Sequence, residues 1–324
     1  MNVGIDILFY GVNGVGASLN NDSAEGKGIN MKKLYSNKLT IFLFLFPGLL
    51  LFVGVLIAPI FASAYYSLFD WNLFGTKKFI GFQNYKDLFT KDNLNFITAV
   101  KNASLLAVLS VFIQLPFALF LALMIGNGKR RFERGFLSVF FMPVLISTVV
   151  IGQLWVKIYN PDYGVLRAII DLFHGNPSKT GLLGDSKYAL WAAFVPTLWQ
   201  YVGYHMLLMY AAIKSVPPEY REAAMIDGAN EMQTNIHIVL PYIKPILKIS
   251  VIFAVTGSFK SYDLIYILTQ GGPNHASEVP STVMIRMLFS SNKYGMGSAI
   301  AFLMILMCFA AALIIGAVFK DKEA

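Results

Sequence analysis

The chain has 324 residues, of which 56% are hydrophobic and only 14% are charged. Soluble globular proteins average about 25% charged residues, so this composition excludes an ordinary soluble enzyme and indicates an integral membrane protein. The formal net charge is +8. In a membrane protein this is typical of cytoplasmic anchoring loops, and because no nucleic-acid-binding motif accompanies it, nucleic acid is not predicted as a partner. The single cysteine, Cys308, excludes an intrachain disulfide, and no Cys/His spacing suits a metal.

The N-terminal segment differs in character from the rest of the chain. Met1–Asn30 has few charges and lacks the basic start of a signal peptide, whereas Met31 is followed by two lysines and then by an apolar run. We hypothesise that Met31 is the biological start and that residues 1–30 are either not native or disordered. The predicted domains are an N-terminal extension and cytoplasmic lead-in (1–37), a membrane domain (38–320) and a cytoplasmic tail (321–324).

Six apolar runs are each long enough to cross a bilayer as a helix, which takes about 20 residues. They cover Thr40–Ala62, Asn102–Ile125, Gly135–Val156, Tyr188–Ile213, Ile249–Leu268 and Tyr294–Phe319. The fourth run is uncharged except for His205, which can titrate. The fifth run contains the charged residues Lys260 and Asp263. The predicted fold class is an all-α integral membrane protein with six transmembrane helices.

The orientation of the chain in the membrane follows from the density of basic residues between the second and third apolar runs. Gly126–Arg134 is short and carries Lys129, Arg130, Arg131 and Arg134. Short loops rich in Lys and Arg stay in the cytoplasm. With six spans, both termini and the loop Lys214–Lys248 are then cytoplasmic. The chain is therefore predicted to be a multi-pass plasma-membrane protein with both termini in the cytoplasm.

Polar residues in the fourth and fifth runs fall on restricted faces. Four of them, at i, i+3, i+4 and i+7, share one face of the fourth helix: Thr197, Gln200, Tyr201 and Tyr204. The fifth helix adds small polar groups at Thr256, Ser258 and Ser261. Polar residues in a membrane face the bundle interior or a watery cavity, although hydrogen bonding between helices is an equally good explanation for any one of them.

Three titratable groups in these runs have both structural and functional interpretations. Lys260 and Asp263 are three residues apart and can pair along the helix, either as a structural pair or as a functional one. His205 lies beside the polar face, where a hydrogen-bonded helix residue is more common than a proton relay.

The loop between the fourth and fifth runs has the marks of a short docking helix. Pro217 and Pro218 end the preceding helix and can start a new one, and Glu219 and Glu222 favour its N-terminal end. Ala223 and Ala224 are small, so another surface can approach closely. Gly228 permits a positive-φ helix stop. This predicts a cytoplasmic helix between transmembrane helices 4 and 5.

The same loop resembles a known signature. Glu222-Ala223-Ala224, Asp227-Gly228-Ala229 and Leu240-Pro241 resemble, in order and spacing, the EAA loop of binding-protein-dependent ABC importers. Phe79–Tyr85 and Phe259–Pro273 resemble segments of sugar permeases, and Lys38–Phe319 is similar throughout to the maltose- or glycerol-phosphate-permease type. The resemblance implies that Glu222, Ala223, Ala224, Asp227 and Gly228 couple the chain to an ATPase.

The resemblance also implies an activity and partners. The chain would be the permease subunit of an importer that moves a sugar or oligosaccharide into the cytoplasm by ATP-driven alternating access. A second homologous permease, two cytoplasmic ATPase subunits and an extracytoplasmic sugar-binding protein would complete it within the bilayer. The chain has no Gly-x-x-x-x-Gly-Lys-Ser/Thr loop, so it is predicted to be no enzyme and to need no cofactor, with ATP bound by partner subunits.

Under this resemblance, helices 4 and 5 line the translocation path, and six of the polar residues are the predicted pathway: Thr197, Gln200, Tyr201, Tyr204, Ser258 and Ser261. Hydroxyl, amide and aromatic groups suit the hydroxyls and C–H faces of a sugar. An ABC permease for a non-sugar solute is the first alternative. An ion-coupled secondary transporter is the second, but it would need internal repeats or several intramembrane carboxylates, and Asp263 is the one available in the predicted spans.

Overall fold

The computed structural model describes residues 38–72, 75–126, 133–173 and 181–319. The predicted extension (residues 1–37), the tail (residues 321–324) and the basic residues Lys129, Arg130 and Arg131 lie outside the described residues. The chain divides into two units, residues 1–57 and 58–324. The described part of the first unit consists of α1 (Lys38–Leu51) and a π-helical turn (Phe52–Ile57), and every residue from Ile41 to Ile57 is apolar or glycine.

The second unit begins with a short helix and a small hairpin. These elements are α2 (Ala58–Tyr66), β1 (Phe69–Asp70), β2 (Lys78–Phe79) and α3 (Gln83–Thr90). The strands are antiparallel, with Phe69 opposite Phe79 and Asp70 opposite Lys78. The buried side chain of Asn84 donates hydrogen bonds to the carbonyl oxygens of Ser67 (2.7 Å) and Phe69 (3.0 Å), which fastens α3 to the hairpin.

The rest of the second unit is helical. Its α-helices are α4 (Phe96–Leu109), α5 (Leu115–Gly126), α6 (Glu133–Leu145), α7 (Thr148–Ile158), α8 (Val165–Leu172), α9 (Ala189–Lys214), α10 (Pro218–Ile226), α11 (Glu231–Thr234), α12 (Leu240–Tyr242), α13 (Lys244–Lys260), α14 (Asp263–Thr269), α15 (Pro280–Ile285) and α16 (Tyr294–Val318). Single π-helical turns are found at Ser110–Gln114, Asn235–Val239 and Arg286–Ser290. The predominantly helical class agrees with the sequence prediction, which did not foresee the hairpin.

Fewer helices than predicted meet the length and apolarity needed to cross a bilayer. Within the described residues four helical runs do so: Ile41–Tyr66, Phe96–Gly126, Lys244–Thr269 and Tyr294–Val318. A fifth is obtained if α6 and α7 count as one span. The structure therefore supports a multi-pass membrane protein with four or five candidate spans where the sequence predicted six.

The third predicted span is not one straight helix. α6 and α7 meet at 94°, which makes Gly135–Val156 either a broken span or a re-entrant loop. Ser147, at the break, has extended backbone angles (φ −54°, ψ 133°). Pro143 lies in the last turn of α6, where its missing N–H removes a helical hydrogen bond.

The fourth predicted span corresponds to α9, which is long enough to cross but too polar to qualify as a candidate span by composition. Of its 26 residues, 14 are buried, and its neighbours include α5 and α6. A helix enclosed by other helices has no need of an apolar surface all round, because only lipid-facing positions require one. α9 is thus the central helix of the second unit.

Candidate functional site

The loop that follows α9 forms the short helix that its sequence predicted. Pro217 has extended angles (φ −56°, ψ 134°) and Pro218 occupies the first turn of α10. Gly228 has φ +80°, so the predicted positive-φ stop is confirmed. The chain then restarts at a capping box, in which Asn230 and Gln233 exchange side-chain to backbone hydrogen bonds of 2.8 and 2.9 Å. The loop therefore consists of two short helices, α10 and α11, with the positive-φ residue Gly228 in the connection between them.

The two alanines of α10 do not share an exposed face, contrary to the sequence prediction. Ala223 is exposed, whereas Ala224 is 7% exposed and packs inside the loop, where its carbonyl oxygen accepts a 2.9 Å hydrogen bond from the Ala229 N–H. Adjacent residues on a helix are separated by about 100°, so one turns inward as the other turns outward. Glu222 and Asp227 are exposed.

The apolar residues that α10 exposes were missed by the sequence analysis. Met225 is 63% exposed and Ile226 is 86% exposed. Beside them, an open groove of about 570 Å³ runs between α10 and the two segments that follow it, α11 and the π-helical turn Asn235–Val239. Its lining includes Tyr220, Ala224, Gly228, Thr234 and His237. The signal was present in the sequence as two large apolar residues in an otherwise polar helix, a feature typical of a contact surface.

A second feature, a polar cavity of about 330 Å³, lies between α4, α7, α9 and α13 and extends to the start of α14. All six residues predicted for the pathway line it: Thr197, Gln200, Tyr201, Tyr204, Ser258 and Ser261. Thr256, His205, Lys260 and Asp263 also line it. The structure thus brings the polar faces of the fourth and fifth predicted spans together.

Some of these polar groups are bonded within the protein and others are not. Thr197 donates to the carbonyl oxygen of Ala193 (2.8 Å) and Ser258 to that of Ala254 (2.8 Å), so both satisfy their hydroxyls on their own helices. In contrast, Gln200 Oε1 and His205 Nδ1 are buried without a partner among the described residues. Buried polar atoms are usually hydrogen-bonded, so these two are exceptions among the polar groups around the cavity.

Four further polar residues of the cavity were not predicted, and Tyr262, between α13 and α14, is one of them. Ser110 and Gln114 come from the π-helical turn between α4 and α5, and Thr148 comes from the first turn of α7. Ser110 Oγ lies 3.4 Å from Ser258 Oγ, across the two helices. The sequence signal for Ser110 and Gln114 was that these two polar residues lie four positions apart within an apolar run. The same kind of spacing identified the polar face of the fourth predicted span.

The predicted ion pair between Lys260 and Asp263 is not formed. α13 ends at Lys260, and Ser261 (φ −57°, ψ 128°) and Tyr262 (φ −140°, ψ −61°) interrupt the helix before α14 begins. An i, i+3 pair needs a continuous helix to bring its side chains together. Both charges instead border the cavity, and in the described structure neither has an ion-pair partner.

Comparison with known proteins identifies the family. Residues 95–322 match the model of the binding-protein-dependent transport system inner membrane component. The chain belongs to this family. It is 37% identical over 289 residues to the probable ABC transporter permease protein YurN of Bacillus subtilis, covering 89% of this chain and 98% of the relative. The resemblance noted in the sequence is therefore confirmed.

A named transport system and a solved structure extend the comparison. This permease is 30% identical over 275 residues to the probable starch degradation products transport system permease protein AmyD of Thermoanaerobacterium thermosulfurigenes, covering 85% of this chain and 91% of the relative. The fold matches a chain of the bacterial alginate ABC transporter in complex with an alginate pentasaccharide-bound periplasmic protein. The TM-score is 0.76, the sequence identity is 22%, and the match covers 90% of this chain and 97% of the alginate-transporter chain.

Proposed function

We propose that this permease forms part of the path through which an ABC importer moves a sugar or oligosaccharide into the cytoplasm. The observation that carries the proposal is the cavity, which Gln200 and His205 line together with aromatic rings and hydroxyls. An amide oxygen and an imidazole nitrogen can bond sugar hydroxyls, and rings such as Tyr204 can cover the C–H face. The names of relatives such as AmyD support a carbohydrate.

Tyr201 lines the cavity and is 43% exposed, so this side of the cavity wall can meet another subunit. We propose that a second homologous permease subunit covers this side and completes the path, as expected for oligomers that build a site between two like surfaces. The extracytoplasmic partner would be a sugar-binding protein, in line with the periplasmic protein bound to the alginate transporter.

ATP hydrolysis would come from two separate cytoplasmic ATPase subunits that dock on α10, so the chain itself needs no cofactor and is no enzyme. Such a contact can use three exposed residues, Glu222, Ala223 and Asp227. Met225 and Ile226 add exposed apolar surface, and its removal from water on docking would favour binding. Ala224 and Gly228 would act indirectly, by shaping the loop that presents these residues. This assignment places α10 and both termini on the cytoplasmic side.

The test is uptake by the complete importer in proteoliposomes. We expect Gln200→Ala and Tyr204→Ala to reduce uptake of the transported sugar about tenfold, because each removes at least one hydrogen bond or ring contact. The matched control is Trp191→Ala on the same helix, since Trp191 is 49% exposed and does not line the cavity.

Three outcomes would count against the proposal. Unchanged uptake in both cavity variants would remove the cavity from the path. An equal loss with Trp191→Ala would point to general damage to α9. Uptake of a non-sugar solute, with sugars giving no competition, would favour the alternative of an ABC permease for another class of solute.

A further inference from the structure

A cluster of three side chains ties the beginning of α6 to the end of α9. Tyr210 donates its hydroxyl to Glu133 Oε1, and the same oxygen lies 3.2 Å from Lys214 Nζ. Lys214 Nζ also lies 5.6 Å from the centroid of the Tyr210 ring. The Glu133 side chain is 18% exposed, so these contacts are largely shielded from water. Charge-assisted hydrogen bonds of this kind are about twice as strong as neutral ones.

The cluster lies where α9 passes into α10. Lys214 is the last residue of α9, and Pro217 caps α10 three residues later. Arg221 of α10 reaches back and donates to the Ile213 carbonyl oxygen (3.2 Å). A displacement of α10 is therefore transmitted directly to the end of α9.

α6 and α9 are also in backbone contact near the middle of α9. A Cβ on Gly203 would lie 1.9 Å from the carbonyl oxygen of Phe140, so the two helices approach as closely as a glycine allows. The polar cluster at one end and this contact further along give the two helices two separate attachments. Closely packed helices attached at two points move as one body.

Beyond α6 the chain turns by 94° into α7, which packs mainly on α14 and also touches α9, where the ring centroids of Trp155 and Trp199 lie 5.9 Å apart. Gly152 packs against the side chain of Ile267 in α14, and Thr148 lines the polar cavity. The break at residues 146–147 thus lies between α6, which is attached to α9 beside α10, and α7, which forms a wall of the cavity and packs mainly on α14. Hinges are typically a few residues at the ends of helices that absorb a change in φ and ψ.

We propose that Glu133 is a positioning residue for coupling: it fastens α6 to α9, so that movement of α10 bends the chain at Ile146–Ser147 and changes the cavity. This inference rests on the proposed function, because it takes α10 as the ATPase contact. Loss of Glu133 would leave the ATPase bound and active but its movement poorly transmitted.

The first experiment measures sugar uptake and ATP hydrolysis in the same proteoliposomes of the complete importer. We expect Glu133→Ala and Lys214→Met to lower the ratio of sugar imported to ATP hydrolysed about tenfold, the factor that corresponds to one lost charge-assisted hydrogen bond. Exchange of the two residues, Glu133→Lys with Lys214→Glu, should recover much of the ratio. Asp171→Ala, which breaks the Arg167–Asp171 pair (2.7 Å) of α8, is the matched control and should leave the ratio unchanged.

The second experiment measures the bend itself. Spin labels at Val139→Cys on α6 and Val149→Cys on α7, in a Cys308→Ser background, report the distance across the break, and both positions are well exposed. We expect this distance to differ between the nucleotide-free and ATP-bound importer, and the difference to shrink in Glu133→Gln, which retains an acceptor for Tyr210 but loses the charge.

An unchanged ratio of import to hydrolysis in Glu133→Ala and Lys214→Met, with normal uptake, would overturn the inference while leaving the proposed function intact. A distance that is the same in both nucleotide states of the native sequence would overturn it as well, as would a failure of the exchanged pair to recover the ratio lost by the single variants. Failure of the native importer to take up any sugar would instead overturn the proposed function.

Discussion

The side chain of Gln114 donates a 2.7 Å hydrogen bond to the backbone carbonyl oxygen of Leu198 in α9. Gln114 is 5% exposed and ends the π-helical turn between α4 and α5, so the bond attaches that turn to the central helix beside the cavity. A π turn places an extra residue in the helix and redirects the side chains that follow it. Here it directs Ser110 and Gln114 toward the polar faces of α9 and α13.

Replacing Gln114 with Leu should therefore destabilise the fold. We expect the free energy of unfolding to fall by about 1 kcal/mol, the net value of one buried hydrogen bond. Denaturation in detergent with a chemical denaturant measures the change. Ile113→Ala is a suitable control, since Ile113 belongs to the same turn but is exposed and should alter stability little. A larger loss in Ile113→Ala than in Gln114→Leu would contradict this account.

Gly203 should tolerate no side chain, because a Cβ would meet the Phe140 carbonyl oxygen at 1.9 Å. We expect Gly203→Ala to separate α6 from α9 and to cost about 1–3 kcal/mol, as overpacked sites do. The melting temperature of the purified chain is the measurement. Gly135→Ala on α6 is the matched control: a Cβ there has no neighbour within 4 Å, so it should be neutral or slightly stabilising. Equal melting temperatures for the two variants would show that the helices are not in such close contact.

Gly228 should resist substitution because of its backbone conformation. A Cβ would have no neighbour within 4 Å, but φ is +80°, a region that residues with side chains adopt at a cost of about 1–2 kcal/mol. Gly228→Val should weaken association with the ATPase subunit, because the end of α10 is displaced. Gly228→Asn should be milder, since Asn tolerates positive φ better. Copurification of the ATPase with each variant is the assay, and equal losses for Asn and Val would argue against a conformational cause.

The proposed contact with an ATPase subunit should depend on exposed residues of α10 more than on its buried alanine. We expect Ile226→Ser to reduce ATPase copurification while leaving the melting temperature unchanged, because Ile226 is 86% exposed. Ala224→Trp should lower the melting temperature as well as ATPase binding, because Ala224 is packed inside the loop. If Ala224→Trp melted normally and Ile226→Ser bound the ATPase as well as the native sequence, the assigned contact surface would be wrong.

Orientation is testable with single cysteines in a Cys308→Ser background. Ile226 and Phe82 are both highly exposed, and the predicted topology places them on opposite sides of the membrane. In sealed cells, an impermeant thiol reagent should label Phe82→Cys from outside and leave Ile226→Cys unlabelled until the cells are opened. The reverse pattern would invert the topology.

The sequence by itself determined the membrane class, the family and the local form of the α10 loop. Apolarity over about 20 residues is a property of each segment alone, because lipid imposes the same requirement everywhere. The proline start and the positive-φ glycine of α10 depend only on neighbouring residues, so Pro218 and Gly228 were predicted correctly. The polar face from Thr197 to Tyr204 followed from helical periodicity, which is local as well.

Only the tertiary structure decided which helices meet and which of their residues are free. The separation of Lys260 from Asp263 and the break between α6 and α7 depend on how α13, α14 and α7 pack, and no local pattern records that packing. The contact of Glu133 with Tyr210 joins residues 77 positions apart. Ala224 turned inward because the chain after Gly228 folds back over it. Burial and pairing are properties of the assembled helices, so they emerge only when distant segments come together.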